Sequence, residues 1–245
     1  RFRKIWRTNN GERQVMIDFN LIMESLPLML AGIGITFQLL VISGCLGLII
    51  AIFLLLLRIS GKWYLSVPAQ VYIYVFRGTP IIVQIFIIYY GLPQFDFIRG
   101  SILWPILREP MGCAIVALSL NTGAYVSEIL RGGVLAVSKG LIEAGSALGM
   151  SSYQKFIYIT APIATRIALP AYSNDVVSLL KSTALASTIT IADMTGIART
   201  IVADTYAPYE IFISLAIVYL VFTFILQKLF GYLERYLGRY TEREV

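Results

Sequence analysis

The feature that most constrains this chain is a series of apolar segments, each long enough to cross a lipid bilayer. Residues 33–57 and 211–226, for example, contain no charged side chain. A bilayer span needs about 20 predominantly apolar residues. Because 58% of the 245 residues are hydrophobic and only 14% are charged, little is left for a separate soluble domain. The sequence therefore predicts an all-α, membrane-embedded protein.

Five spans are predicted, at about residues 27–57, 67–90, 111–137, 164–188 and 208–230. The first is long enough to tilt or to include a turn at the membrane surface, and Pro80 interrupts the second. A polar, basic tail (1–26) leads into the first span, and residues 236–245 form a C-terminal tail. A polar connection, 138–160, joins the third span to the fourth. The stretch 192–207 predicts a short helix at the opposite surface.

The Lys and Arg residues of the short loops predict the orientation, because cytoplasmic loops carry an excess of them. If residues 140–160 face the cytoplasm, the outer loops hold only Arg99, Arg108 and Arg199. The inner side then holds Arg58, Lys62, Arg131, Lys139, Lys155, Arg166, Lys228, Arg235, Arg239 and Arg243. The C-terminus is therefore predicted to be cytoplasmic.

Five spans with a cytoplasmic C-terminus place the N-terminus outside. The N-terminal tail is nevertheless basic, with Arg1, Arg3, Lys4, Arg7 and Arg13. Either the tail is translocated despite its charge, or residues 15–30 form an additional membrane-associated segment. We favour translocation, because Asp18, Asn20 and Glu24 would make a sixth span costly.

The residue types present argue against a metal or nucleotide site within this chain. There is no histidine, which removes the commonest general base and metal ligand. Cys45 and Cys113 lack metal-site spacing and are interpreted as small core residues. No nucleotide-binding P-loop occurs, since Gly61-Lys62 is followed by Trp63. Energy for any active process must therefore come from another protein.

The connection between the third and fourth spans has the features of a docking surface. Leu141, Ala144, Gly145 and Leu148 recur at helical spacing, and Gly149 predicts the end of that helix. Small residues let a foreign backbone come close, and Glu143 adds one charge.

A second short helix is predicted after Gly149, because Ser151 and Gln154 have capping-box spacing. An ordinary linker packed on its own bundle is the alternative interpretation of this connection.

Four ionisable residues fall within the predicted spans: Arg77, Glu128, Asp175 and Lys181. Such residues usually face the bundle interior or a water-filled cavity. Three helical stripes accompany them, namely Gln70, Arg77 and Gln84; Asn121, Tyr125 and Glu128; and Asn174, Ser178 and Lys181. The stripes predict a shared polar path. For Arg77 and Asp175, structural ion pairing, such as Arg77 with Glu128, remains equally open.

Several motifs together resemble one transporter family. Glu143-Ala144-Gly145, then Gly149, Ile159 and Pro162, resembles the EAA signature of ATP-binding-cassette importer permeases, with Gly145 in place of alanine and Ala161 in place of leucine. Segments 76–80, 117–122, 166–174 and 181–185 resemble the second, third and fourth spans of the polar amino-acid and opine uptake branch. The chain is most similar to the M-type membrane subunit of histidine, lysine-arginine-ornithine and opine importers.

This resemblance implies the type I importer permease architecture, with about five spans and a cytoplasmic EAA coupling loop. It implies a bacterial inner-membrane subunit that is not an enzyme and binds no cofactor. Two partner subunits would carry ATP and magnesium, and a periplasmic solute-binding protein would deliver substrate. A homologous permease, or a second copy of this chain, would complete the path; no nucleic acid is expected as a partner. Coupling to the ATPase would fall to Glu143, Ala144, Gly145, Gly149, Ile159 and Pro162.

The expected cargo is a polar or basic L-amino acid or an opine. The expected path residues are Arg77, Gln84, Asn121, Tyr125, Glu128, Asn174, Ser178 and Lys181. Glu128 would hold the substrate's amino group because its own helix face offers it no cation, and Lys181 or Arg77 would hold the carboxylate. Tyr125 and Phe86 would hold the side chain. The alternatives are an ion-coupled secondary transporter and a non-transporting membrane scaffold.

Overall fold

The computed structural model describes residues 18–238, and these form helices joined by short connections. The α-helices are α1 (Phe19–Ala31), α2 (Ile33–Ile59), α3 (Trp63–Gly78), α4 (Ile81–Phe86), α5 (Asp96–Arg99), α6 (Trp104–Leu107), α7 (Pro110–Leu135), α8 (Lys139–Ala147), α9 (Ser152–Lys155), α10 (Ala161–Thr183), α11 (Met194–Thr205) and α12 (Pro208–Gly238). The described residues contain no β-strand. The N-terminal basic residues and most of the predicted C-terminal tail lie outside the described range.

Three helices are long and apolar enough to cross a membrane individually: α2, α7 and α12. Two further spans are possible if each of two bent helix pairs counts as one. The first pair, Trp63–Gly78 and Ile81–Gln94, bends by 105°, and the second, Ser152–Ile189 and Met194–Thr205, bends by 50°. By length and composition, the described helices thus provide up to five spans.

The first predicted span is interrupted at Gly32, which lies between α1 and α2. A side chain at Gly32 would lie 2.6 Å from the backbone nitrogen of Met194, so only glycine permits this approach. Helix α1 instead packs on α11 and α12 and buries Met29 completely. Residues 19–26 are therefore helical rather than tail, and Asp18 accepts hydrogen bonds as the N-cap of α1.

The second predicted span is broken at Thr79 and Pro80. A residue that precedes proline is disfavoured in the helical conformation, and Thr79 is accordingly extended, with φ −116° and ψ 142°. Proline also lacks the N–H that would continue the helix. The predicted Gln70–Arg77–Gln84 stripe is therefore wrong as a single helix face, because the 105° bend separates Gln84 from the other two.

The second short helix of the connection is also corrected. The predicted capping box is present, since Ser151 accepts from the Gln154 backbone and the Gln154 side chain accepts from the Ser151 backbone. The helix that it starts, however, runs through a π-helical turn at Phe156–Thr160 directly into α10. It is therefore the first turn of the fourth span, and only α8 is a separate helix of the connection.

Helix α7 lies at the centre of the fold, between α2 and α10, and also contacts α3. Its buried face is largely made of small side chains, which allow close helix approach within a membrane. These residues are Cys113, Ala114, Ala117, Ser119, Thr122, Gly123, Ala124, Ser127 and Gly133. Cys113 is thus a core residue as predicted, whereas Cys45 is exposed.

Candidate functional site

A cleft of about 490 Å³ opens where the bend after α3 meets α7 and α10. Arg77 and Asp175 are the formally charged side chains among its described lining, which makes the cleft formally neutral. The lining residues are Arg77, Gly78, Thr79, Pro80, Ile81, Leu118, Asn121, Thr122, Tyr125, Asp175, Ser178, Leu179 and Ser182. One cation and one carboxylate therefore share a polar cleft at an interrupted span.

Gln84 braces the bend that forms this cleft. Its side-chain amide donates to the carbonyls of Phe76 and Thr79, at 2.9 and 3.0 Å, and to Thr79 Oγ1 at 2.8 Å. Asn121 on α7 in turn donates to Gln84 Oε1 at 3.1 Å and to the Phe76 carbonyl at 3.2 Å. These bonds satisfy carbonyls that the broken helix leaves unpaired. The sequence predicts that Gln84 lines the path. In the structure it is buried at the bend, it is not among the cleft-lining residues, and its bonds hold the bend in place.

Tyr125 orients Arg77 at the wall of the cleft. The Arg77 guanidinium carbon lies 5.2 Å from the centre of the Tyr125 ring, a distance at which a cation is attracted to an aromatic face. The Tyr125 hydroxyl also donates to the Arg77 carbonyl at 3.4 Å. Phe86, the other expected side-chain contact, packs against Tyr90 and lies outside the lining.

Glu128 is paired with two arginines, Arg58 from α2 and Arg131 on its own helix. Arg131 Nη2 lies 2.8 Å from Glu128 Oε2. The expectation that Glu128 has no cation on its own helix face is therefore wrong, because Arg131 stands three residues away and such positions are neighbours. The Arg77–Glu128 ion pair offered as an alternative is not among the described ion pairs either.

A second cleft, of about 500 Å³, surrounds this ion cluster. Its lining comprises Arg58, Gln70, Ile73, Tyr74, Arg77, Gly78, Tyr125, Glu128 and Arg131. The two clefts share Arg77, Gly78 and Tyr125, so they are neighbouring parts of one polar surface. Arg77, Asn121, Tyr125 and Glu128 thus line neighbouring clefts, and their contact with substrate stays a prediction.

On α10 the observed polar face is displaced by one residue from the predicted one. Ser178 lines the first cleft, but Asn174 and Lys181 are exposed and lie outside its lining. Asp175, with Ser178 and Ser182, occupies the cleft instead. The sequence could have indicated Asp175, because it is an ionisable residue inside a predicted span. Asn174 and Lys181 remain predicted path residues.

The coupling loop presents an exposed helix that ends as predicted. Glu143 and Ala144 are exposed on α8, and Leu148 is 81% exposed. Gly149 has φ +75°, a left-handed conformation that strongly favours glycine. Its N–H and that of Met150 donate to the carbonyls of Ser146 and Gly145, at 3.0 Å each. The last carbonyls of α8 are therefore satisfied locally.

Gly145 is the buried member of this loop. A side chain there would lie 2.8 Å from Ile159 Cδ1, so the glycine allows Ile159 to pack directly against α8. Lys155 Nζ donates to Ser146 Oγ at 2.7 Å and fastens the same helix to the start of the fourth span. Pro162 is exposed in the first turn of α10. Among the described residues, no group of histidine, cysteine, aspartate and glutamate is arranged to hold a metal.

Comparison with known families gives one match over most of the chain. Residues 43–239 match the family described as the binding-protein-dependent transport system inner membrane component.

Several characterised relatives align with most of the chain. The octopine transport system permease protein of Rhizobium meliloti is 49% identical over 211 residues, which cover 86% of each chain. The nopaline transport system permease protein of Agrobacterium fabrum is 47% identical and covers 87% of this chain and 89% of its own. The histidine/lysine/arginine/ornithine permease protein of Escherichia coli K12 is 41% identical, covering 83% and 86%.

Solved structures agree with these relatives. An amino acid ABC transporter crystallised with histidines has a TM-score of 0.80 and 34% identity, covering 90% of this chain and 99% of its own. The inward-facing MetNI methionine transporter, at 18% identity and a TM-score of 0.65, shares the fold.

Proposed function

Because this chain belongs to the family of inner-membrane components of binding-protein-dependent transport systems, we propose that it forms the path for ATP-driven import of a polar or basic L-amino acid or an opine. The observation that carries this proposal is the cleft at a broken span that both Arg77 and Asp175 line. Both side chains line this cleft, and its volume of about 490 Å³ has room for a small molecule. The relatives are named for octopine, nopaline and histidine, lysine, arginine and ornithine, which are small molecules that each carry a carboxylate and an amino group.

The chemistry of the cleft suits a zwitterion. A guanidinium presents its donors in a planar fork that matches a carboxylate, so Arg77 would bind the substrate's carboxylate. Asp175 would accept hydrogen bonds from its amino group, and Tyr125 would cover the side chain. Asp175 therefore takes the role that the sequence assigned to Glu128. No bond of the substrate is made or broken, so the chain acts as a transporter subunit and not as an enzyme.

The energy would come from ATP and magnesium held by two partner subunits beneath α8. The exposed Glu143, Ala144 and Leu148 offer these partners a helix to grip. A second permease chain, a homologue or another copy, would cover the exposed Asn174 and Lys181 on α10, since a lysine facing lipid there would be costly. A periplasmic solute-binding protein would deliver substrate from the other side, and membrane lipid would surround the assembly.

In this arrangement α8 and the C-terminus face the cytoplasm and the N-terminus faces the periplasm. Single cysteines at Ser152 and Ser101, introduced into a chain whose own cysteines are replaced, test this orientation in whole cells. An impermeant thiol reagent should label the Ser101→Cys variant and leave Ser152→Cys unlabelled. The reverse pattern would show that the topology is inverted.

Transport itself is tested with the complete importer in proteoliposomes. Binding protein and labelled arginine or octopine are supplied outside, with either ATP enclosed or an ion gradient alone. Uptake that requires both enclosed ATP and binding protein is expected. Uptake driven by the gradient without ATP would support the secondary transporter instead, and absence of uptake in both arms would support the scaffold.

A further inference from the structure

The second cleft carries more positive charge than its own carboxylate can neutralise. Arg58 and Arg131 line it together with Glu128, beside Arg77, which the first cleft shares. Three arginines against Glu128 and Asp175 leave the two clefts with a formal net charge of +1. Because Arg77 balances Asp175, the excess positive charge belongs to Arg58 and Arg131. Glu128 already accepts hydrogen bonds from both Arg58 and Arg131. The described lining contains no second anion to balance the remaining charge. An incoming anionic group would provide that balance.

The neighbouring first cleft differs, since Arg77 and Asp175 make it formally neutral. An amino-acid head group, itself neutral overall, suits that cleft. A lysine or arginine side chain that reached into the second cleft would meet like charges, which repel it. A carboxylate in the same position would meet guanidinium forks of matching geometry. The two clefts therefore favour different parts of a substrate.

We propose that the second cleft is a carboxylate-binding station on the inward half of the path, and that Arg131 makes it prefer substrates with a second carboxylate over free dibasic amino acids. An N-carboxyalkylated arginine belongs to the preferred class. This inference rests on the proposed function, because it requires that substrate passes along these residues.

Arg131 is the residue best placed to read that second carboxylate. Its side chain is 33% exposed, whereas that of Arg58 is 14% exposed. Its described contacts with Glu128 use Nε and Nη2, which leaves Nη1 for a ligand. Removing Arg131 also leaves the Arg58–Glu128 pair in place. Arg131 can therefore be altered without stranding a buried charge.

The test measures selectivity in proteoliposomes that contain the complete importer, with ATP enclosed. Binding protein saturated with either arginine or N-(1-carboxyethyl)arginine is supplied outside, and the ratio of the two uptake rates is recorded. Arg131→Ala should lower the ratio of dicarboxylate to arginine uptake about tenfold, the value of one hydrogen bond to a charged group. Glu128→Gln adds one net positive charge and should raise the ratio. Arg235→Ala, an equal charge change on the exposed end of α12, should leave it unchanged.

The opposite shifts of Arg131→Ala and Glu128→Gln distinguish selectivity from damage. If Arg131→Ala lowers both uptake rates equally, or if both variants shift the ratio in one direction, the station is overturned. The same uptake rates are measured in vesicles of phosphatidylcholine and of phosphatidylglycerol. If the effect of Arg131→Ala changes with the lipid and not with the substrate, the cleft binds a lipid headgroup and the inference is wrong. Should Arg131→Ala fail to assemble, the ratio for Glu128→Gln decides alone. Wild-type protein that imports neither compound with ATP would overturn the proposed function itself.

Discussion

The coupling loop and the bend after α3 are held by different kinds of contact. In the loop, the bonds that end α8 and start α9 join residues that are near neighbours in the chain, such as Gly149 with Ser146 and Ser151 with Gln154. At the bend, Asn121 bonds to Gln84, 37 residues away, and beside it Glu128 pairs with Arg58, 70 residues away. The loop is thus built locally, whereas the clefts exist only when distant helices meet.

This difference separates two kinds of failure. The loop exposes Glu143 and Ala144 for a partner, so changes there should impair coupling while the fold survives. The bend buries polar groups such as Gln84 that satisfy one another, and a buried group that loses its partner costs about 1–3 kcal/mol. Changes there should therefore affect stability and transport together. Substitutions in each region test this division.

The largest effect is expected for Glu143→Lys, which reverses the only acidic residue of α8. Uptake should be abolished while membrane insertion and thermal stability stay at wild-type values, because the side chain is exposed and makes no described ion pair. Co-purification of the ATPase subunit should be lost at the same time. Glu234→Lys on α12 is the matched charge reversal and should retain the partner. Undiminished uptake in Glu143→Lys would mean that the loop is a simple linker.

Asp175→Asn tests whether the first cleft reads substrate charge. The change keeps the shape and removes the only carboxylate of that cleft's lining. Because hydrogen bonds to charged groups are worth about 1.5–3 kcal/mol, uptake should fall at least about tenfold. The melting temperature should stay near that of the wild type. If Asp175→Asn lowers uptake less than Lys181→Gln does, the result would favour the predicted face with Asn174 and Lys181 over the face that lines the cleft.

Gln84→Leu should act on transport by destabilising the fold, because Gln84 lies outside the cleft lining. The variant leaves the Thr79 carbonyl without its amide donor and removes the oxygen that accepts from Asn121, at a cost of about 1–3 kcal/mol. The Phe76 carbonyl keeps only its bond from Asn121. The melting temperature in detergent and the uptake rate should fall together. Gln94→Leu is a matched control, because Gln94 is exposed and its amide donates only to the Tyr90 carbonyl of its own segment. Equal melting temperatures for the two variants would contradict the bracing position of Gln84.

The local construction of the loop explains why the sequence predicted it well. The stop at Gly149 and the capping box at Ser151 each depend on neighbouring residues, and both are present. The apolar runs were likewise sufficient to predict an all-α membrane fold. Family membership confirms the importer-permease prediction. The continuation of α9 into α10 was missed because a π-helical turn at 156–160 leaves no mark in a pattern of spacing.

The clefts could not be predicted to the same degree. Periodicity within one helix gave Asn121, Tyr125 and Glu128 a common face, but it could not show that the second span turns by 105°. From the sequence, Arg58 and Arg131 count only as cytoplasmic loop charges, although both form ion pairs with Glu128. On α10, the predicted polar face (Asn174, Ser178 and Lys181) differs by one residue from the face that lines the cleft (Asp175, Ser178 and Ser182). Both sets have helical spacing, so spacing alone could not choose between them. Only the packing of α10 on α7 distinguishes the two.

The smallest effect is expected for Gly145→Ala, which restores the alanine of the family signature. The added carbon would lie 2.8 Å from Ile159 Cδ1, the end of a flexible side chain that can move by a few tenths of an ångström. Uptake should therefore stay within about twofold of the wild type, because the Ile159 side chain can yield and alanine favours a helix over glycine by roughly 0.8–1 kcal/mol. Gly149→Val lies four residues further on and should behave differently, because at φ +75° a β-branched residue strains the backbone by about 1–3 kcal/mol. If Gly145→Ala were as damaging as Gly149→Val, and if Ile159→Val restored it, the contact between α8 and the base of the fourth span would be as important for coupling as the helix end itself.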